Sequence, residues 1–209
     1  MERCHEPLAG YYRLHARIYD ATRWSFLFGR SQLISQAARA LAGQGGAAGA
    51  RVAEVGCGTG HNLRRLAREL PTACLTGIDL CPPMLGRAAK AVSGTARPVE
   101  LVCCAYGPDS LARDSMDLIV FSYALSMFNP GFEAALDAAR LHLRPGGLVA
   151  VADFCDTPAP WFRSWMGVNH VRMDGHLPPQ LDDRFRPVHR DIRPAYGGLW
   201  RWFSFIGRK

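Results

Sequence analysis

The chain has 209 residues, 48% of them apolar and 21% charged, proportions that suit one α/β domain with a sizeable core. No window approaches the roughly 18–20 consecutive apolar residues of a membrane span, and the opening residues, 1–6, lack the apolar stretch of a secretory signal, so the expectation is a soluble cytoplasmic protein. The formal net charge of +7 and a pI near 9.3 fit an arginine-rich surface, an anionic membrane, an acidic substrate or nucleic acid, and charge alone does not choose among them.

In chain order, residues 7–43 read as helical, because Tyr11, Leu14, Ile18, Leu27, Leu33, Ile34, Ala38 and Leu41 recur largely three and four apart. A Gly/Ala-rich linker, 43–49, follows. The pattern then alternates between strand and helix. Strands are expected at 51–55, 74–78, 99–103, 117–122 and 148–154. Helices are expected at 61–70, after Pro82-Pro83 and at 131–143, with a turn at Arg144-Pro145-Gly146-Gly147. The aromatic tail, 199–206, reads as a last antiparallel edge strand. Such alternation implies right-handed crossovers and a doubly wound, mainly parallel sheet, with 1–49 as an N-terminal helical cap, 50–154 as the core and 155–209 as a substrate-side segment. Cys4, Cys57, Cys74, Cys81, Cys103, Cys104 and Cys155 form no C-x-x-C pair, so reduced structural thiols and no zinc site are expected.

The most informative stretch is Glu54-Val55-Gly56-Cys57-Gly58-Thr59-Gly60-His61-Asn62. A buried strand runs into three alternate glycines and then a helix, which lets the backbone turn sharply and approach a ligand closely. Asp79 stands 19 positions after Gly60, at the end of the second strand, where a carboxylate accepts the ribose hydroxyls of a nucleoside cofactor. A dinucleotide site would show G-x-G-x-x-G, leaving the helix N-terminus open to pyrophosphate.

The pattern Glu-x-Gly-x-Gly-x-Gly resembles motif I of class I S-adenosylmethionine-dependent methyltransferases, and Arg144-Pro145-Gly146-Gly147 resembles the loop before their fifth strand. The resemblance covers roughly 50–154. It implies S-adenosylmethionine as cofactor, with Gly56 and Gly58 under its methionine portion and Cys57 and Gly60 as further cofactor-binding residues. Glu54 and Asn62 would order the loop or receive the ammonium, and Asp79 would hold the ribose. Leu80 or Met84 would flank the adenine, and Ser122 counts among the cofactor-binding residues. Many relatives carry Asp-Ala after the third strand. Here Cys104-Ala105 stands in that place, which implies adenine contacts through backbone groups of 104–106.

Residues 19–30, 121–127 and 151–154, with 58–62, also resemble the N-methyltransferases of betaine-lipid synthesis, which methylate the amino group of diacylglyceryl homoserine. That resemblance implies an amine acceptor on an amino-acid-like headgroup, free or in a lipid. Methyl transfer is an in-line displacement, so alignment matters more than acid–base power, and a quaternary ammonium product suits aromatic faces. Tyr11, Tyr12, Tyr19, Trp24 and Tyr123 are candidate lining, with Tyr19 and Tyr123 preferred as catalytic residues. Arg23, His170 and Arg172 are candidates for a headgroup carboxylate. Each also has a plain structural reading: Tyr19 and Trp24 as staples of the N-terminal helices, Arg23 as a partner of Asp20, His61 as a loop cap, Asp153 as a strand-end residue. The basic tail with Trp161, Phe162, Trp165, Trp200, Trp202 and Phe203 offers peripheral contact with an anionic membrane, and the same aromatics suit core packing.

Alternatives stay open: a soluble specialised-metabolite acceptor, a non-catalytic cofactor-binding partner subunit, or transfer of the aminocarboxypropyl group. Nucleic acid is not expected, because 121–127 lacks the Asn/Asp-Pro-Pro-Tyr type of motif. The sequence leaves oligomeric state open.

Overall fold

The computed structural model describes residues 26–45 and 48–209. Their elements run α1 (Arg30–Ala42), β1 (Arg51–Val55), α2 (His61–Glu69), β2 (Cys74–Asp79), α3 (Pro82–Val92), β3 (Val99–Cys103), β4 (Met116–Ser122), a 3-10 turn (Leu125–Met127), α4 (Phe132–His142), β5 (Leu143–Asp156), α5 (Pro160–Val168), α6 (Leu177–Arg184), β6 (Arg186–Ala195) and β7 (Trp200–Arg208). One seven-stranded sheet has the order β3-β2-β1-β4-β5-β7-β6. Strands β1 to β5 pair in parallel, and β7 is antiparallel to both β5 and β6. The chain therefore winds outward through β3, returns across β1 and continues through β4. Strand order reverses between β1 and β4, and the carboxyl ends there leave a crevice.

The sheet is buried on both faces at its centre, which is why β4 (Met-Asp-Leu-Ile-Val-Phe-Ser) has every residue buried. Alternate residues divide between two cores. Val52, Leu118, Val120, Leu148 and Ala150 meet Leu33, Ile34 and Leu41 of α1. Ala53, Ile119, Phe121, Val149 and Val151 meet Phe132 and Leu136 of α4 and Leu177 and Leu181 of α6. Each fully buried Leu, Ile or Phe contributes about 1.5–3 kcal/mol relative to exposure. The central strands accordingly carry the frame that holds the crevice.

The expected doubly wound, mainly parallel sheet is present. Three local expectations change. The tail strand, β7, does not lie at the edge, because β6 pairs along its outer side. Residues 144–147 are not a free turn before β5: Leu143 already pairs with Met116, pairing resumes at Leu148–Leu118, and the four residues bulge out between. Arg144 there pairs with Asp117 at 2.6 Å. Of the C-terminal aromatics, Phe162, Trp200, Trp202 and Phe203 are core, whereas Trp161 and Trp165 face outward. Of the long N-terminal helix expected over 7–43, the described part begins at Arg30, and Tyr11, Tyr12, Tyr19, Arg23 and Trp24 lie outside the described residues.

Candidate cofactor site

β1 ends at Val55 and the chain turns at once through Gly56, whose φ of 70° is left-handed. A Cβ there would stand 2.7 Å from the Ala124 Cβ, and one at Gly60 would stand 2.9 Å from the Ala88 Cα of α3. Glycine is required at both places, first for the turn and then for the close approach of α2 to α3. The turn is stitched to β2: Gly56 N and Cys57 N donate to the Ile78 carbonyl at 2.8 and 3.1 Å. Gly58 N donates to Asp79 Oδ2 at 2.8 Å, and Cys81 N donates to Asp79 Oδ1 at 2.9 Å. Asp79 thus braces the glycine loop as well as standing where a ribose is expected.

A cavity of about 400 Å³ opens beside this turn, at the carboxyl ends of β1 and β4. Of the residues singled out in the sequence, Glu54, Gly56, Cys57, Asn62 and Ser122 line it. Glu54 is 1% exposed, and its Oε1 accepts from Asn62 Nδ2 at 2.8 Å. Burial pushes its carboxyl up to about 8, against the opposing pull of Asn62 and the Arg30 charge. Burial, then the nearby Glu54 and Asp79, raises the Cys57 thiol strongly, so it stays neutral and acts as a small apolar wall. His61 at the mouth is shifted down by burial and by Arg30, Arg64, Arg65 and Arg68, so its imidazole is neutral near pH 7.

Among the described residues, three buried polar atoms around this cavity have no protein partner: Glu54 Oε2, Asn62 Oδ1 and Ser122 Oγ. Orphaned buried groups cost stability unless a ligand or water meets them. Two acceptors and a hydroxyl fit the ammonium and carboxylate of an amino-acid tail, which S-adenosylmethionine carries and a dinucleotide lacks. The residues present therefore fit the expected cofactor.

The remaining expected residues distribute differently. Gly58, Gly60 and Asp79 build the loop rather than the cavity wall. Leu80 is 46% exposed, whereas Met84 is 3% exposed and packed inward, so Leu80 is the one available to a ligand surface. Cys104 and Ala105 belong to a self-held loop after β3. There Ser110 Oγ donates to the Ala105 carbonyl and accepts from Gly107 N, at 3.3 and 2.9 Å. Tyr106 Oη bonds the buried His142 Nδ1 at 2.9 Å.

Tyr123 does not face the cavity as a base. It is 2% exposed, its hydroxyl donates to the Phe28 carbonyl at 2.9 Å, and burial followed by the Asp153 charge holds it well above the ordinary tyrosine range. It anchors the segment before α1 instead. Arg172 pairs with Asp174 at 2.7 Å and lies over the Phe132 ring, so its guanidinium is engaged. His170 is an exposed residue with left-handed backbone (φ 61°) just after α5.

The sequence reading missed Arg30, Arg64 and Arg87, which bring cationic side chains to the cavity from three helices. No motif marks Arg64 or Arg87, and Arg30 ends the 19–30 segment without having been given a role. A helical wheel anchored on Gly60 would put Arg64 one turn beyond the loop, which is the signal that was available.

The sheet order, the crevice and the glycine turn with its two carboxylates agree with the S-adenosylmethionine-binding core that the sequence leads one to expect. Residues 52–147 match the family model described as "Methyltransferase domain". A trans-aconitate 2-methyltransferase of Streptomyces avermitilis is 38% identical over 102 residues, covering 48% of this chain and 38% of that protein. A malonyl-[acyl-carrier protein] O-methyltransferase of Magnetococcus marinus is 33% identical over 120 residues, covering 56% of this chain and 42% of that one. The chain thus spans less than half the length of these curated relatives. Among solved structures, a protein from Galdieria sulphuraria provisionally named a sarcosine dimethylglycine methyltransferase superposes with a TM-score of 0.72 over 85% of both chains, at 14% identity, a likeness of fold.

Proposed function

We propose that the chain transfers the methyl group of S-adenosylmethionine to the amino group of an amino-acid-like headgroup, with diacylglyceryl homoserine as the favoured acceptor. One observation supports this above the others. The described parts of the three segments that resemble betaine-lipid N-methyltransferases, 26–30, 121–127 and 151–154, come together on Tyr123, beside the cavity-lining Ser122. Tyr123 N donates to the Ala152 carbonyl at 2.8 Å, its ring meets Phe154 edge-on at 4.8 Å, and its hydroxyl reaches the Phe28 carbonyl. Asp153 Oδ2 accepts from Ser126 N at 3.1 Å and so fixes the turn after β4. The described parts of these segments pack together at the carboxyl ends of β4 and β5, where an acceptor would approach, and this supports the reading.

In this reading Glu54 and Asn62 hold the ammonium of the amino-acid tail, and Asp79 takes the ribose with lone pairs left over from Gly58 N and Cys81 N. The cofactor supplies an electrophilic methyl on a sulfonium. The protein contributes alignment and exclusion of water. A neutral amine attacks the methyl carbon, and its proton leaves to solvent, directly or through the neutral imidazole of the cavity-lining His61; the buried Tyr123 and the neutral Cys57 do not take it.

A second reading has an observation of its own: the curated relatives are named for acceptors that bear carboxylates, trans-aconitate and malonyl-acyl carrier protein, which favours O-methylation of a carboxylate. Mass spectrometry separates the two. Incubation with S-adenosylmethionine and a panel of diacylglyceryl homoserine, homoserine and trans-aconitate should give stepwise methyl additions on the amine nitrogen, stable to alkali. Alkali-labile methyl ester would establish the second reading and sink the first.

A further inference from the structure

Helix α5 leaves the carboxyl end of β5 through a short connection, so it stands at the end of the sheet where the cavity opens. Its inner face puts Phe162 and Met166 in the core. Its outer face carries Trp161, Trp165 and Val168, which are 66%, 50% and 78% exposed. Their spacing of four and then three residues forms one stripe. Ring contacts bind this stripe to the core: Trp161 to Phe162 at 5.6 Å, Phe162 to Trp200 at 5.2 Å, and Trp200 to the exposed Tyr196 at 4.8 Å. The indoles are therefore held outward on a rigid support. A monomer in water gains nothing from presenting two tryptophans and a valine together.

On α5 itself the charged side chain is Arg163, and Arg172 beyond the helix is paired with Asp174. Residues 157–173 contain Arg163, His170 and Arg172 and no Asp or Glu. Arg163, between the two tryptophans, donates to the Thr157 carbonyl at 2.8 Å and forms no ion pair among the described residues. Indole rings favour the headgroup level of a bilayer, where an apolar body and a polar N–H are both satisfied, and a guanidinium beside them favours anionic lipid. A second copy is a poorer occupant, because a two-fold contact through this stripe sets like charges against each other.

We propose that the α5 stripe Trp161–Trp165–Val168 is the surface by which the protein rests on an anionic bilayer, delivering a lipid headgroup to the cavity at the same end of the sheet. The proposal rests on the lipid-headgroup reading above and adds the surface through which that acceptor is reached.

The test is co-sedimentation of the full chain with vesicles of phosphatidylcholine alone and of phosphatidylcholine mixed equally with phosphatidylglycerol. The expected result is binding to the mixed vesicles, weakened by salt and reduced about tenfold or more in the double variant Trp161→Ser/Trp165→Ser. Val168→Asp serves as an independent variant, and an unchanged melting temperature certifies the fold of each. Absence of binding to either vesicle, or binding that both variants leave unaltered, overturns the proposal. So does a wild-type dimer that Val168→Asp dissociates without vesicle binding, which assigns the face to a second copy. Methylation of detergent-dispersed diacylglyceryl homoserine is read separately: its failure removes the acceptor reading and leaves the vesicle result to stand or fall alone.

Discussion

Replacing Glu54 with Gln isolates the physical feature on which the cofactor site depends. The Glu54 carboxyl is buried at 1% exposure and raised from its ordinary 4.5 to about 8. An acid raised by folding keeps its proton in the native state over a pH range where the unfolded chain has lost it. The stability it permits is therefore complete below about pH 4.5 and is lost as pH rises toward about 8. At about 1.4 kcal/mol per pH unit, that loss is on the order of 5 kcal/mol at most. Glutamine removes the titration and keeps an oxygen for Asn62 Nδ2. Urea unfolding without cofactor should then find wild type and Glu54→Gln within about 1 kcal/mol of each other near pH 5. Near pH 9 the variant should be more stable by roughly 2–4 kcal/mol. Asp153, raised by burial to about 6, slopes the same way in both proteins and cancels. The cofactor reverses the sign, because an ammonium at Glu54 Oε2 favours the carboxylate, so the same variant should bind S-adenosylmethionine more weakly by about 1.5–3 kcal/mol. Equal pH profiles for the two proteins would refute the reasoning, since Glu54 would then not be held neutral by burial.

Gly60→Ala combines a left-handed φ of 78° with a Cβ 2.9 Å from the Ala88 Cα, so denaturant titration should show a loss of about 1–3 kcal/mol. Tyr123→Phe removes only the bond to the Phe28 carbonyl. It should cost about 1 kcal/mol of stability and leave the rate of methyl transfer at saturating substrates within a few-fold of wild type, whereas a large fall in kcat with unchanged stability would restore Tyr123 as a catalytic residue.

The glycine turn and the central strands were legible because several signals coincide there. β1 and β3 run over the expected residues, since short apolar runs ended by glycine or polar residues leave few alternatives. β6 was not legible: Arg-Pro-Val-His-Arg-Asp-Ile-Arg-Pro-Ala is mostly exposed, and its two prolines and alternating charges are how an edge strand is protected from further pairing. Helices α5 and α6 open on prolines amid aromatic and polar residues, too short for periodicity to declare them. At the site, Glu54, Gly56, Cys57 and Asn62 were readable because one contiguous motif carries them. Arg30 and Arg87 were not, because their meeting depends on how α1 and α3 pack. Tyr123 was singled out as a catalytic candidate, and the structure instead gives its hydroxyl to the Phe28 carbonyl. Its neighbours in sequence do not reveal that its hydroxyl crosses to Phe28.

Calorimetric titration of S-adenosylmethionine into the wild type and Asp79→Ala tests the central claim most directly. Asp79 receives Gly58 N and Cys81 N at 2.8 and 2.9 Å, so its removal loosens the glycine turn and takes away the ribose acceptor together. The account predicts one-to-one binding to the wild type, weakened by about 1–3 kcal/mol in the variant. No binding to the wild type, or equal affinity in the two proteins, would contradict the placement of the whole site.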